Sequence, residues 1–181
     1  MTGEFEESLL EQILSQEEIQ QKLTLVAKKI DQEYAGKEIV IVFILKGAIC
    51  LVADLIRSIK IPSTIEFLQA KSYGEKGVSR GALTILGIEQ IAITDKDVLL
   101  VDDIFDSGET LLQVTERLKK QHPRSIKTLV LLCKKVPRTT NYQPDYILFE
   151  IENRFVVGYG LDYKEKYRGL PGIYAMTRGA P

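Results

Sequence analysis

The chain has only two cysteines, Cys50 and Cys133, and one histidine, His122. Both thiols sit inside apolar runs, so free buried side chains are expected rather than a disulfide framework or a metal pair, which suits a reducing cytosol. His122 stands beside Pro123, past the expected end of a helix, and is assigned no chemistry. No basic block or arm occurs: 24 Lys and Arg face 25 Asp and Glu, a formal net charge of -1, which argues against a nucleic-acid binder held by counterion release. No apolar run approaches membrane-spanning length, and Glu4, Glu6 and Glu7 stand where a signal peptide would carry basic residues. A cytoplasmic protein is expected. No Pro- or Gly-rich linker, internal repeat or low-complexity tract divides the 181 residues, 45% of them hydrophobic, so the whole chain is expected to form one domain with a sizeable core.

What the chain does have is concentrated in Val98-Leu99-Leu100-Val101-Asp102-Asp103-Ile104-Phe105-Asp106-Ser107-Gly108-Glu109-Thr110-Leu111. The first four residues have the length and branching of a strand covered on both faces, and Leu111, Val114, Thr115 and Leu118 then recur at helical spacing. The carboxylates therefore lie where a strand gives way to a helix. In an open α/β sheet that carboxyl-end crevice is where ligands bind, and a helix N-terminus there offers free N–H groups to a phosphate. Ser107, Gly108 and Thr110 would supply the phosphate pocket. The acids repel a phosphate but accept hydrogen bonds from hydroxyls and hold Mg²⁺ through water, so the ligand that fits is a ribose 5-phosphate. An N-capped helix after a polar loop accounts for one acid; three within five residues crowd like charges that a ligand or metal must offset.

Elsewhere helices and strands alternate. Ser15 and Glu18 have capping-box spacing, and Ile19, Leu23, Val26, Ile30 and Tyr34 form one stripe up to Gly36. Ile39 to Leu45, Thr64 to Ala70, Leu83 to Leu86, Ser125 to Cys133 and Tyr146 to Glu150 read as strands, and Ile49 to Ile59 as a helix. This order favours a mainly parallel sheet with helices on both faces.

The Val98–Leu111 segment resembles the phosphoribosyl-diphosphate motif of the type I phosphoribosyltransferases: an apolar strand, two acids, two apolar residues, an acid, Thr or Ser, Gly, any residue, Thr. Every position matches. The resemblance runs along almost the whole chain and favours the 6-oxopurine, or hypoxanthine-guanine, branch. It implies the type I fold with a small hood built from the N-terminal helix and a C-terminal segment starting near Lys135. It also implies Mg²⁺-dependent transfer of 5-phosphoribosyl from its 1-diphosphate to N9 of hypoxanthine or guanine, by a homodimer or homotetramer that binds no nucleic acid.

Further roles rest on the same resemblance. Asp102 and Asp103 would hold the ribose hydroxyls directly or through metal-bound water, Asp106 would be the general base at purine N7, and Ser107, Gly108, Glu109 and Thr110 would take the 5-phosphate. Leu45-Lys46-Gly47-Ala48, by its residues an ordinary βα turn, matches the pyrophosphate loop whose peptide before the lysine is often cis, and Arg168 matches a pyrophosphate-binding arginine. The polar stretch from Lys71 to Gly81, by composition equally a surface hairpin, would be a lid with Ser72 and Tyr73 closing over the reaction centre. Lys134, otherwise a solvated lysine, would donate to the purine C6 oxygen. Phe155, otherwise part of a core strand to Tyr159, would stack on the base, Val156 would read it through its backbone, and Asp162 would lie near the pyrophosphate Mg²⁺.

Two residues depart from the pattern. Asp102 stands where the branch commonly has Glu, which shortens the reach to ribose by one methylene, and Glu109 brings an acid to the phosphate turn, with its side chain expected to point outward. A regulatory protein of the same fold, binding nucleotide and nucleic acid without catalysis, is the alternative. Asp106, Lys134, Phe155 and the absence of a basic face weigh against it.

Overall fold

A computed structural model of the chain describes residues 10–72, 83–138 and 140–177. A six-stranded sheet forms the centre, in the order β4 (Leu83–Leu86), β3 (Ser63–Ser72), β2 (Ile39–Leu45), β5 (Asp97–Phe105), β6 (Ser125–Lys134) and β7 (Tyr146–Ile151). All pairings are parallel except β3 with β4, which closes one edge antiparallel. The interior strands are nearly continuous apolar runs because both faces are covered. Ile39, Ile41, Leu99 and Val101 face one core, and Val40, Val42, Val98 and Leu100 face the other.

Helices α1 (Gln16–Glu33) and α2 (Ile49–Ser58) pack on the first face, through Ile19, Leu23 and Ile30 and through Leu51 and Leu55. Helix α3 (Glu109–Lys119) covers the second through Leu111, Val114 and Leu118. The α1 stripe is buried along its length, and the capping box forms: Ser15 N–H donates to Glu18 Oε2 at 2.8 Å and Glu18 N–H to Ser15 Oγ at 3.2 Å.

A second, three-stranded antiparallel sheet has the order β1 (Leu10–Leu14), β9 (Ile173–Met176), β8 (Val156–Val157). This corrects the expected hood in two respects. The N-terminal helix belongs to the main core, because its apolar stripe is long enough to cover the large sheet, and the strand before it joins the small one. Tyr146–Ile151 likewise extends the large sheet beside β6 instead of entering the hood. The apolar run from Phe155 to Tyr159 yields only a two-residue strand, since Gly158 at φ +98° and Tyr159 at φ +49° turn the chain away.

The topology creates one crevice. From β2 the chain crosses to β3 on one side, then returns to place β5 on the other side of β2. The loop after β2 leads to α2 on one face, whereas the loop after β5 leads to α3 on the opposite face. Adjacent strands whose loops part in this way leave a cleft at their carboxyl ends, where open α/β sheets bind ligands.

Candidate active site

Strand β5 runs further than its apolar residues suggest: Asp102 and Asp103 are strand residues, with Asp102 opposite Val130 of β6. Pairing with β2 stops at Phe43 and Val101. Beyond it the carboxylates accept backbone donors, Asp103 N–H to Asp102 Oδ1 at 3.0 Å and Ile104 N–H to Asp103 Oδ1 at 2.8 Å. Asp102 is 7% exposed, and burial, then the neighbouring Asp103 charge, push its carboxyl well above the usual range. Burial also raises Asp103. Two adjoining acids that resist ionisation are suited to hydroxyl donors or a hard cation, which would offset their crowded charge.

Past Phe105 the chain turns into α3. Gly108, at φ +85°, precedes α3 and supplies no side-chain cap, the arrangement in which first-turn N–H groups serve a bound anion. A Cβ there would lie 2.6 Å from Thr140 Oγ1 and 3.0 Å from the Phe105 ring. Asp102, Asp106, Ser107, Gly108 and Thr110 line a cavity of 60 Å³ at this turn. Glu109 is half-buried at the first helical position.

A larger cavity, 290 Å³, adjoins it and shares Asp102, Ile104 and Thr110 with it. Its other walls are Lys46 and Gly47 after β2, Asp103, and Asp162 and Arg168 from the C-terminal segment. The Leu45–Lys46 peptide is cis. Gly47 admits no side chain, since a Cβ would fall 1.5 Å from Asp103 Oδ2, and a Cβ on Gly160 would fall 2.2 Å from the Gly47 carbonyl oxygen. Backbone thus packs against backbone to hold the loop. Arg168 donates to the Gly160 carbonyl at 2.7 Å and pairs with Asp162 at 2.7 Å and Glu165 at 3.2 Å. Lys46 Nζ lies 3.1 Å from both Glu165 carboxylate oxygens, and these two cations, Lys46 first, hold the Glu165 carboxyl below its usual range.

At the far end Lys134, the last residue of β6, points its ammonium to 3.7 Å from Asp106 Oδ2. The Asp106 side chain is 56% exposed and that of Lys134 13%. Phe155 meets Tyr163 edge-on at 5.6 Å, and the Val156 side chain is buried. Ser72 ends β3 opposite Leu83; its side chain and Tyr73, the expected lid pair, lie outside the described residues.

A phosphoribosyl transferase domain model matches residues 10–164. The hypoxanthine-guanine phosphoribosyltransferase of Aquifex aeolicus (strain VF5) is 39% identical over 168 residues, covering 92% of this chain and 94% of that protein. The chain belongs to the hypoxanthine-guanine phosphoribosyltransferase family. Its fold agrees: a Bacillus anthracis hypoxanthine-guanine phosphoribosyltransferase superposes with a TM-score of 0.86 at 38% identity, covering 92% of this chain and 98% of that one. A Trypanosoma cruzi hypoxanthine phosphoribosyl transferase, studied for the role of its C-terminal region in oligomeric state and enzymatic activity, gives 0.85 at 34% identity over 92% and 90% of the chains. The chain is therefore an enzyme of purine salvage. Among the described residues no helix is long and apolar enough to cross a membrane.

The carboxylates fit the Mg²⁺ that this family's resemblance implies. Asp102, Asp103 and Asp162 present hard oxygen donors to one cavity, yet no cluster of three or more metal-ligating side chains forms among the described residues. Mg²⁺ commonly takes one or two carboxylates, with water and substrate phosphates completing its shell.

Three contributors escaped the sequence reading of this phosphoribosyltransferase. Gly160 supports the Lys46–Gly47 loop, and Glu165 contacts both Lys46 and Arg168. Tyr159 donates its hydroxyl to Asp54 at 2.6 Å, where Gln20 and Arg57 also donate, tying the segment to α1 and α2. Only the density of glycines and aromatics around Gly158–Tyr163 hinted at such packing.

Proposed function

We propose that the chain transfers the 5-phosphoribosyl group of 5-phosphoribosyl 1-diphosphate to N9 of hypoxanthine or guanine, giving IMP or GMP and pyrophosphate. The observation that carries this reading is the pair of adjoining cavities. One has a phosphate turn, the other two cations and a glycine loop, and Asp102 lies between them. A ribose with phosphate at one end and diphosphate at the other suits that order.

The Lys134–Asp106 pair supports the choice of base. In the N7–H tautomer of a 6-oxopurine, the O6 acceptor and the N7–H donor are adjacent on one edge of the ring. An ammonium 3.7 Å from a carboxylate matches O6 on one side and an N7 proton on the other. Lys134 donates and cannot accept, so it rejects the amino group of adenine. As the N9–C1 bond forms and the bond from C1 to the diphosphate oxygen breaks, Asp106 takes the N7 proton. Asp102 and Asp103 bind the ribose hydroxyls, Ser107, Gly108, Glu109 and Thr110 hold the 5-phosphate, and Lys46, Gly47 and Arg168 hold the departing diphosphate. Asp102, Asp103 and Asp162 would hold Mg²⁺, which when bound offsets the charge growing on the diphosphate. Phe155 stacks on the purine, the Val156 backbone reads its edge, and Ser72 and Tyr73 exclude water.

Free thiols at Cys50 and Cys133 suit a reducing compartment, and we assign the activity to the cytoplasm. Exposed Ile65, Phe67 and Leu86 on one face of the β3–β4 edge support assembly as a homodimer or homotetramer.

The test is a spectrophotometric assay with 5-phosphoribosyl 1-diphosphate and Mg²⁺ against hypoxanthine, guanine, xanthine and adenine. Nucleotide formation from hypoxanthine or guanine, little from adenine, and a large loss of turnover in Asp106→Asn are expected. A folded protein that makes no nucleotide from any base overturns the proposal.

A further inference from the structure

Glu165 stands outside both cavities, yet its carboxylate engages the two side chains assigned to bind diphosphate. It lies 3.1 Å from Lys46 Nζ through both oxygens and 3.2 Å from Arg168 Nη2. Its backbone is directed as well: Glu165 N–H donates to Asp162 Oδ2 at 2.8 Å. With Asp162 already paired to Arg168, each of the two cations, Lys46 and Arg168, faces a carboxylate of the C-terminal segment. The cations of a site for a multiply charged anion are in this way already paired with carboxylates of the chain itself.

The turn that presents Glu165 is one this sequence does not favour. Tyr163 and Lys166 exchange both backbone hydrogen bonds, at 3.1 and 3.0 Å, across the two-residue loop Lys164–Glu165. Both loop residues have positive φ, +51° and +63°, and Tyr167 follows at +74°. Such loops favour Asn-Gly, because L side chains crowd the backbone in the left-handed region. Departures of this kind persist where surrounding contacts demand them, and they gather at ligand sites.

We infer that Glu165 is an exchangeable internal counter-ion of the diphosphate site: it holds Lys46 and Arg168 in the empty enzyme, yields them to incoming diphosphate, and reclaims them as pyrophosphate leaves. The inference rests on the reading of Lys46 and Arg168 given under Proposed function. Exposure makes the exchange feasible. The Lys46 and Glu165 side chains are 63% and 66% exposed, and exposed ion pairs are weak enough for a multivalent ligand to displace. Held by Glu165, Lys46 is also kept near the cavity instead of sampling its many rotamers. The consequence is a diphosphate site that is ordered when empty and binds product less tightly than its cations alone would.

Isothermal titration of the full chain with inorganic pyrophosphate, with and without Mg²⁺, tests this in wild type, Glu165→Gln and Glu165→Asn. Gln removes the charge at nearly constant size; Asn removes it while tolerating the left-handed turn, so the hairpin persists even if Gln loosens it. Both variants are expected to bind pyrophosphate about threefold to tenfold more tightly, the gain set by the weak pairs no longer displaced. In turnover, the KM for 5-phosphoribosyl 1-diphosphate falls with it and the KM for hypoxanthine stays unchanged. A merely structural Glu165 would leave pyrophosphate affinity unchanged or reduce it. Unchanged or weaker binding in both variants, beside a wild type that makes nucleotide, overturns the role of Glu165 alone. Tighter binding in the variants of a protein that makes no nucleotide keeps the role and rejects the activity.

Discussion

The ammonium of Lys134 lies 3.7 Å from the carboxylate of Asp106, joining the end of β6 to the turn after β5. Asp106 is more than half exposed, and under the proposed activity the separation suits the O6–N7 edge of the purine. Lys134→Gln is expected to lower kcat/KM for hypoxanthine by about 10- to 100-fold, the value of a hydrogen bond to a charged donor. The ratio of adenine to hypoxanthine turnover should rise, because the Gln carbonyl accepts from an amino group. Steady-state kinetics with both bases check it, and an unchanged ratio would remove Lys134 from base selection.

Gly47 and Gly160 are required by space. Gly47→Ala places a methyl 1.5 Å from Asp103 Oδ2 and must displace that carboxylate, so loss of turnover with little loss of stability is expected. Gly160→Ala drives a methyl to 2.2 Å from backbone of the Lys46–Gly47 loop, at φ +100°. Strain and overpacking both apply, and a destabilisation of about 2–4 kcal/mol should accompany lost activity. Thermal melting of the two variants separates the cases.

Asp102 sets stability against function. Burial and Asp103 raise its carboxyl in the folded state, so its charged form is penalised there, and the penalty grows as pH rises above the ordinary carboxylate value and levels off above the folded-state one. Asp102→Asn removes it. The variant should melt higher than wild type, by a margin that widens as pH rises above the ordinary carboxylate range and then levels off, while its affinity for 5-phosphoribosyl 1-diphosphate falls. A margin that narrows with pH would contradict this origin of the shift.

Local rules carried most of the architecture. The Ser15–Glu18 box, the Ile19–Tyr34 stripe and the unbroken apolar runs of β2 and β6 each have one period and one outcome. The limits of β5 escaped because Asp102 and Asp103 are strand residues only by virtue of β6 beside them, and acids disfavour strands on their own. The helix stripe did not reveal that it covers the large sheet, since a stripe specifies a buried face and not its partner. The turn before α3 was legible, being local in sequence. Glu165 was not: its contact with Lys46 spans 119 positions, and nothing in Lys-Glu advertises a left-handed turn.

Asp97 anchors the opposite end of the sheet from the site. It is 2% exposed, accepts from Ser125 Oγ at 2.6 Å and pairs with Arg124 at 2.9 Å, so the first residue of β5 is tied to the start of β6. Burial opposes its ionisation, but the Ser125 and Arg124 donors outweigh it and hold the carboxyl below its usual range. A carboxyl lowered by folding contributes stability above its unfolded value and loses it as pH falls through the folded one. Asp97→Asn should therefore cost about 1.5–3 kcal/mol at neutral pH, the range for hydrogen bonds to a charged group. The cost should shrink as pH falls below the ordinary carboxylate range, since wild type then loses the same charge. Urea unfolding at pH 7 and pH 3 measures both values, and a cost independent of pH would mean that packing, not ionisation, makes Asp97 matter. Because β5 carries Asp102 and Asp103 to the cleft, the sheet needs a fixed register there, yet Asp97 touches no part of the site. Turnover of the folded variant should match wild type.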